Sequence, residues 1–229
     1  EVQLMGVAPT PAIAFAAHKH GVVAIAITAS HNLFQDNGIK IFAAGGLKLS
    51  DDQQASIERE MIARDSAAHD GARTKSDASN KIASVNKKLV VERPEYLQEY
   101  CDWLVDLAPR DAFKKLHVAL DCANGAFSYV APEVFSKLGA TVTTVNATPD
   151  GRNINLQCGA THPSALVEVV KSVGANFGVA FDGDGDRLIA VDDKGQIVDG
   201  DHLLAISALN MKTQGTLRGN KVVVTVMTN

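Results

Sequence analysis

Apolar runs typical of strands alternate along the chain with apolar stripes at helical spacing, and this alternation predicts an α/β fold class. In the first half, the continuous apolar run Val22–Ile27 predicts a strand that is buried on both faces. Residues 38–49 predict a hairpin, because two strand-like segments flank a pair of glycines. The capping-box sequence at 50–53 predicts a helix that extends to about residue 61, and the polar stretch 65–84 predicts a solvated loop.

The second half continues the alternation after a candidate linker, Ala108–Arg110, which follows a helix predicted to begin at Pro94. The turn Asp121–Gly125 predicts the connection from a strand into a helix, and a second helix is predicted over 163–173. Residues 192–195 have the composition of a hairpin turn. Five further segments have the composition of strands: 116–120, 141–145, 177–181, 187–191 and 221–226.

The composition argues against several classes of protein. The 229 residues include 22 Lys and Arg against 26 Asp and Glu, a formal net charge of −4, and no basic cluster predicts a nucleic-acid partner. No apolar run approaches the ~20 residues that span a bilayer, so no membrane partner is expected. Three scattered cysteines predict neither a disulfide framework nor a zinc site. The chain opens with Glu1 and without a signal peptide, so we expect a cytoplasmic protein and a piece of a longer one.

The stretch 181–187, Phe-Asp-Gly-Asp-Gly-Asp-Arg, carries the most informative motif. Asp182, Asp184 and Asp186 directly follow a predicted buried strand, and three such carboxylates repel one another unless a cation lies among them. The intervening glycines allow the backbone to curl so that the carboxylates converge. Because oxygen-only ligands favour a hard ion, the motif predicts a Mg²⁺ or Ca²⁺ site.

The motif admits three other interpretations. An exposed acidic turn is the simplest of them, but ordinary turns do not place three acids around two glycines at the end of a strand. An EF-hand needs Gly and Glu at loop positions that here hold Arg187 and Asp193. A phosphatase with Asp182 as its nucleophile stays open, although the third Asp and the following Arg disfavour it.

A second polar loop, Thr28–Asn32, also follows a predicted buried strand. It places Ser30 where α/β proteins commonly hold ligands, and His31 adds a group that titrates near neutral pH. By itself such a loop is more often a hydrogen-bonded turn. The Gly-x-Ser-x-Gly pattern of hydrolases is not present around Ser30.

In combination, the two loops resemble those of the α-D-phosphohexomutase family. Thr28–Asn32 resembles the family's phosphoserine loop, Asp182–Arg187 resembles its metal loop, and Asn37–Lys40 resembles the stretch after the phosphoserine. The runs Asp150–Asn155 and Cys158–His162 resemble the branch of the family that acts on glucosamine phosphates. The resemblance covers nearly the whole chain, in order.

The resemblance implies two consecutive α/β/α sandwich units with mixed sheets, at 1–108 and 109–229, the first truncated at its N-terminus. It also implies that the C-terminal domains of the same protein are missing from this chain and would be its partners, and it leaves a homo-oligomer possible. Leu33 departs from the family, which usually has Pro after the Asn of the serine loop.

The resemblance further implies the roles of the site residues. Ser30 would carry a phosphate, and an oxygen of that phosphate would join three carboxylates as Mg²⁺ ligands: Asp182, Asp184 and Asp186. Lys40 and Arg187 would contact phosphate, as their positive charge suits them to do, and His31 would orient the phosphate or carry a proton.

The implied activity is an intramolecular phosphotransfer on a phosphorylated hexosamine. Glucosamine 6-phosphate would become glucosamine 1-phosphate, a precursor of UDP-N-acetylglucosamine, through a phosphoserine and a 1,6-bisphosphate. The isolated chain is expected to be inactive. The alternatives are a phosphomannomutase or phosphoglucomutase of the same family, a non-catalytic fragment that binds Mg²⁺, and a metal-dependent phosphatase.

Overall fold

A computed structural model describes residues 1–70, 89–226 and 228, and all of their side chains except those of 65–70. The chain divides into two compact units. The first comprises Glu1–Ile27 and Ile39–Tyr100, and the second comprises Thr28–Gly38 and Cys101–Asn229. The segment that carries Ser30 therefore belongs with the second unit, while the boundary between residues 108 and 109 stays a prediction.

The described residues of the first unit form two two-stranded sheets. Strand β1 (Val2–Leu4) pairs in parallel with β4 (Val90–Glu92), and β2 (Ala24–Thr28) pairs with β3 (Gly38–Phe42). The α-helices that begin in the described part of this unit are α1 (Thr10–His20), α2 (Asp51–Asp70) and α3 (Glu95–Asp106).

Local signals in the first unit act as predicted at two places. The capping box at the start of α2 is confirmed, because the Ser50 N–H donates to Gln53 Oε1 at 2.9 Å and the Gln53 N–H donates to Ser50 Oγ at 3.3 Å. The hairpin after β3 closes with an antiparallel bridge between Phe42 and Lys48.

The second unit contains a five-stranded mixed sheet in the order β6-β5-β7-β8-β9. Strands β6, β5 and β7 are parallel, whereas β8 and β9 run antiparallel to their neighbours. The strands are β5 (His117–Asp121), β6 (Thr141–Val145), β7 (Phe177–Phe181), β8 (Leu188–Asp192) and β9 (Ile197–Val198). The helices are α4 (Phe127–Lys137), α5 (Ser164–Val173) and α6 (Gly200–Thr213).

Helices α4 and α5 cover opposite faces of this sheet. On β7, Ala180 packs in a buried cluster with Leu166 and Val170 of α5. The next side chain, Phe181, stacks on Phe127 of α4 with the ring centroids 4.3 Å apart. Since successive side chains of a strand point to opposite faces, the second unit is an α/β/α sandwich.

Several predictions from the hydrophobic pattern are wrong. The run Val22–Ile27 is not buried on both faces, because Ala26 is 3% exposed whereas Ile25 and Ile27, on the other face of β2, are 58% and 78% exposed. Residues 221–226 form no strand and have no strand partner in the described part of the chain. Helix α6 was not predicted, although Asp199 caps it by accepting from the His202 N–H at 3.0 Å.

The predicted loop 65–84 overlaps α2, which continues to Asp70; the rest of that prediction, 71–84, lies outside the described residues. Across the described ranges, no helix is both long enough and apolar enough to cross a membrane.

Candidate active site

The acid loop, which we define as residues 182–187, begins where β7 ends at Phe181 and closes on its own backbone. The Asp182 N–H donates to the Arg187 carbonyl at 3.3 Å, and the Arg187 N–H donates to Asp182 Oδ1 at 3.1 Å. Gly185 adopts a left-handed φ of +71° and donates its N–H to the Asp182 carbonyl at 3.0 Å. The glycine therefore supplies the sharp turn that brings the acids together.

The three carboxylates of the acid loop converge. One oxygen from each of Asp182, Asp184 and Asp186 lies within 4.8 Å of the others. Asp182 and Asp184 are buried, whereas Asp186 is exposed. Burial raises the pKa of Asp182, the hydrogen bond from the Arg187 backbone opposes that rise, and the two neighbouring carboxylates add to it. The loop thus holds a concentration of negative charge at a carboxyl end of the sheet.

The serine loop, residues 28–32, presents Ser30 from a strained backbone. Ser30 has a φ of +52°, a left-handed conformation that side-chain-bearing residues other than Asn and Asp seldom adopt. Its N–H donates to Thr28 Oγ1 at 2.8 Å, and the Asn32 N–H donates to the Ala29 carbonyl at 2.9 Å. Such conformations persist where the surrounding contacts fix them, and they cluster at functional sites.

Arg187 joins the two loops. Its Nη2 donates to Ser30 Oγ at 3.2 Å and to His31 Nδ1. Its Nε donates to Asp182 Oδ2 at 3.2 Å and lies 3.6 Å from Asp186 Oδ1. Because the guanidinium carries only donors, Nδ1 of His31 is the acceptor in this contact. The structure therefore brings Ser30, His31, Arg187 and the acid loop into one cluster within the second unit.

Lys40 lies on β3 in the first unit and is half-buried. Its predicted contact with phosphate stays a prediction. A Cys–His pair such as Cys158 and His162 can suggest a catalytic dyad, but Nδ1 of the His162 ring lies within hydrogen-bond distance of Thr161 Oγ1, at 3.1 Å. Burial raises the pKa of the Cys158 thiol to about 11, so it is protonated and inert at neutral pH.

Two buried polar residues that were not predicted from the sequence as site residues form hydrogen bonds to the backbone around the site. Asp121, at the end of β5, accepts from the Ala123 N–H and the Gly159 N–H, both at 2.9 Å. Asn155 donates to the backbone carbonyls of Ser30 at 2.9 Å and of Asn32 at 2.7 Å. Both residues lie inside motifs that the sequence singled out, but neither motif reveals a partner so distant along the chain.

Two family models match the chain. Residues 1–68 match the model of phosphoglucomutase/phosphomannomutase alpha/beta/alpha domain I, and residues 94–195 match the model of domain II. The chain belongs to the phosphoglucomutase/phosphomannomutase family. Both matched models are α/β/α domains, so the predicted fold class of two consecutive α/β units is confirmed.

A curated relative in this family is the phosphoglucosamine mutase of Clostridioides difficile strain 630. It is 44% identical over 230 residues, which cover all of this chain and 49% of that protein. A phosphoglucosamine mutase of Bacillus licheniformis is 45% identical, again over the whole chain and 49% of the relative. The chain therefore spans about half the length of the curated relatives it matches.

Among solved structures, a phosphoglucomutase/phosphomannomutase family protein from Burkholderia thailandensis superposes with a TM-score of 0.69 at 26% identity. The superposition covers 94% of this chain and 45% of that one. An Aspergillus fumigatus N-acetylphosphoglucosamine mutase, solved in complex with GlcNAc-6P and magnesium, superposes with a TM-score of 0.59 at 17% identity, over 91% of this chain and 52% of that one. At that identity the second likeness concerns the fold alone.

Proposed function

We propose that this chain forms the part of a phosphoglucosamine mutase that carries the phosphoserine and binds the metal. The observation that carries the proposal is the position of Arg187, whose guanidinium contacts both Ser30 Oγ and the Asp182 carboxylate. A hydroxyl held beside an acid cluster by one guanidinium suits phosphoryl transfer, which depends mainly on positioning and charge neutralisation. The names of the relatives at 44% and 45% identity support glucosamine phosphates as the substrates.

The acid loop fits a bound Mg²⁺ ion. Its three carboxylate oxygens lie within 4.8 Å of one another, they are hard oxygen ligands, and two of the three residues are buried. Asp182, Asp184 and Asp186 would hold the ion, together with an oxygen of a phosphate on Ser30. When bound, Mg²⁺ would neutralise and polarise the phosphoryl group.

The residues of the chain would act in two half-reactions. In the first, the bond from phosphorus to Ser30 Oγ breaks as a bond to O1 of glucosamine 6-phosphate forms, and the proton of the sugar hydroxyl ends on Ser30 Oγ. In the second, Ser30 Oγ takes the phosphoryl group from O6 of the 1,6-bisphosphate, and its proton ends on O6. Arg187 would hold Ser30 Oγ and its phosphate, Lys40 would contact phosphate, and His31 would orient the phosphate or carry the proton.

The proposal is tested by the phosphorylation of Ser30 in the full-length protein. We expect the purified protein, or the protein treated with glucosamine 1,6-bisphosphate, to carry one phosphate on the peptide that contains Ser30. Ser30→Ala should abolish both the phosphate and the mutase activity. Ser172→Ala is the matched control, because Ser172 is an exposed helix residue whose hydroxyl bonds only within α5. Mutase activity in Ser30→Ala would refute the proposal.

A metal-dependent phosphatase is the second candidate, since Asp182 directly follows a buried strand. Both oxygens of Asp182 accept hydrogen bonds from Arg187, and this disfavours the carboxylate as a nucleophile. Release of inorganic phosphate that survives in Ser30→Ala would favour this second function. Turnover of mannose or glucose phosphates in preference to glucosamine phosphates would instead assign another substrate within the family.

The remaining parts of the proposal concern partners and location. The C-terminal half found in the relatives would complete the active site, so the isolated chain is expected to be inactive. The three cysteines are free and buried, and this agrees with the reducing environment of the cytoplasm.

A further inference from the structure

Asn155 connects the serine loop to the acid loop, and its side chain is almost completely buried, with 3% of its surface exposed. Its single amide nitrogen donates to two carbonyls of the serine loop, Ser30 at 2.9 Å and Asn32 at 2.7 Å. The bonded residues are 125 and 123 positions apart in the sequence. The same nitrogen borders Gly183 of the acid loop, where an added Cβ would lie 2.6 Å from it.

The side chain of Asn155 contacts the serine loop through its N–H donors and not through its oxygen. Its Oδ1 is buried and accepts no hydrogen bond from the described residues, an arrangement that costs free energy. Turning the amide over would place that oxygen against two carbonyl oxygens, so the hydrogen-bond pattern fixes its orientation. The side-chain hydrogen bonds of Asn155 within the described residues are therefore both donated to the serine loop.

The backbone at this position narrows the choice of residue further. Asn155 has a φ of +57°, the left-handed region in which Gly, Asn and Asp are most easily accommodated. Gly has no side-chain donor, and an ionised Asp has only acceptors. Asn alone of these three combines the backbone conformation with two N–H groups on one short side chain.

The loop that presents Asn155 is itself held by side-chain hydrogen bonds. Asp150 Oδ1 accepts from the N–H groups of Arg152 at 2.7 Å and Asn153 at 2.8 Å. The Asn153 side chain donates to the Thr148 carbonyl at 3.0 Å. The Asn155 N–H then donates to the Ala123 carbonyl at 2.9 Å, beside the end of β5. Asn155 therefore reaches the serine loop from a fixed platform.

We infer that Asn155 is a positioning residue, which holds the left-handed backbone of Ser30 so that Ser30 Oγ faces Arg187 and the acid loop. This inference rests on the proposed function only for its kinetic consequence. Removing the two donors would leave the carbonyls of Ser30 and Asn32 without these hydrogen bonds, and the serine loop would move away. A shift of about 1 Å in a reacting group can lower a rate by about 100-fold.

The test compares variants in the full-length protein. Asn155→Asp keeps the size and loses the donors, whereas Asn155→Gly keeps access to the left-handed backbone and loses the side chain. Both are expected to lower kcat by about 100-fold with KM changed by less than about threefold, because the transfer step rather than binding is affected. Asn176→Ala is the matched control: Asn176 is exposed, bonds to the His117 N–H at 2.7 Å and precedes β7 at its other end. Its activity should equal that of the unmodified protein.

Hydrogen exchange separates this inference from the proposed function. The amides of 29–33 should exchange at least about tenfold faster in Asn155→Asp than in Asn176→Ala, whether or not the protein is a mutase. If exchange and kcat are unchanged in Asn155→Asp while the unmodified protein is an active mutase, the inference is wrong and the function stands. If exchange rises as expected but the unmodified protein shows no phosphoserine and no mutase activity, the positioning role stands and the function fails.

Discussion

Replacing Gly183 by Ala tests how closely the serine loop and the acid loop pack. A Cβ at this position would lie 2.6 Å from the Ser30 carbonyl oxygen and 2.7 Å from Ile154 Cδ1, as well as 2.6 Å from the Asn155 amide nitrogen. Two of these three neighbours belong to the hydrogen bond that holds Ser30, so neither can move without weakening it. Overpacking of this kind costs about 1–3 kcal/mol.

The expected loss of activity in Gly183→Ala follows from the same geometry. The added methyl group can be accommodated only if the serine loop moves away, by a distance on the order of 1 Å, and we expect kcat for phosphoryl transfer to fall by about 100-fold. The assays are mutase turnover and urea unfolding of the full-length protein, in which the transition of the second unit should move to lower urea.

Gly200→Ala is the control for this prediction. Gly200 begins α6, and an added Cβ there would meet no atom within 4 Å. Ala is a better helix former than Gly, so this change should be neutral or should stabilise the protein by up to about 1 kcal/mol. If Gly183→Ala matched Gly200→Ala in both kcat and urea midpoint, the two loops would not pack as described.

Three further predictions concern charge and reactivity. Burial raises the pKa of Asp182, so the metal-free folded chain retains a proton that the unfolded chain has already released. The free energy of unfolding should therefore fall as pH rises from the ordinary carboxyl pKa through the raised one. In urea titrations, Asp182→Asn should remove this pH dependence, whereas the control Asp193→Asn should keep it. Lys40→Ala should lower kcat by about 100-fold, because a charged contact with phosphate would be lost. Lys48→Ala, on the same hairpin, should leave kcat unchanged. Equal activity of the two variants would show that Lys40 is not part of the site. Burial also raises the thiol pKa of Cys101 to about 11, of Cys122 to about 12 and of Cys158 to about 11. Alkylation at neutral pH should therefore be slow in the native chain and complete in denaturant. One thiol that reacts fast in the native chain would contradict this prediction.

The chemistry of the two loops could be predicted from the sequence because each is a local pattern. The candidate metal ligands of the acid loop can be identified from the sequence, since three carboxylates and two glycines lie within six residues after an apolar run. The serine loop was weaker evidence, and it became informative only in combination with the acid loop. The capping box at Ser50 and the strands β6 and β7 were likewise predictable, because turn chemistry and periodicity act over a few residues.

Predictions that depended on neighbouring elements were less successful. The run Val22–Ile27 is apolar enough for a buried strand, yet burial requires elements that cover both faces, and Ile25 and Ile27 are exposed on one face of β2. Residues 221–226 have strand composition and no strand partner in the part of the chain that the structure describes. A strand is stabilised by its pairing, and a single segment does not specify a partner.

Sequence alone determined the kind of chemistry: a serine and a trio of acids at the ends of strands, on an α/β scaffold. Only the tertiary structure decided how these groups meet, through an arginine shared between Ser30 and Asp182 and through the amide of Asn155. The physical reason is that backbone carbonyls are the acceptors for Asn155, and every residue carries one. A hydrogen bond to such a group leaves no trace in the identity of its partner, so it becomes visible only when the fold brings the two ends together.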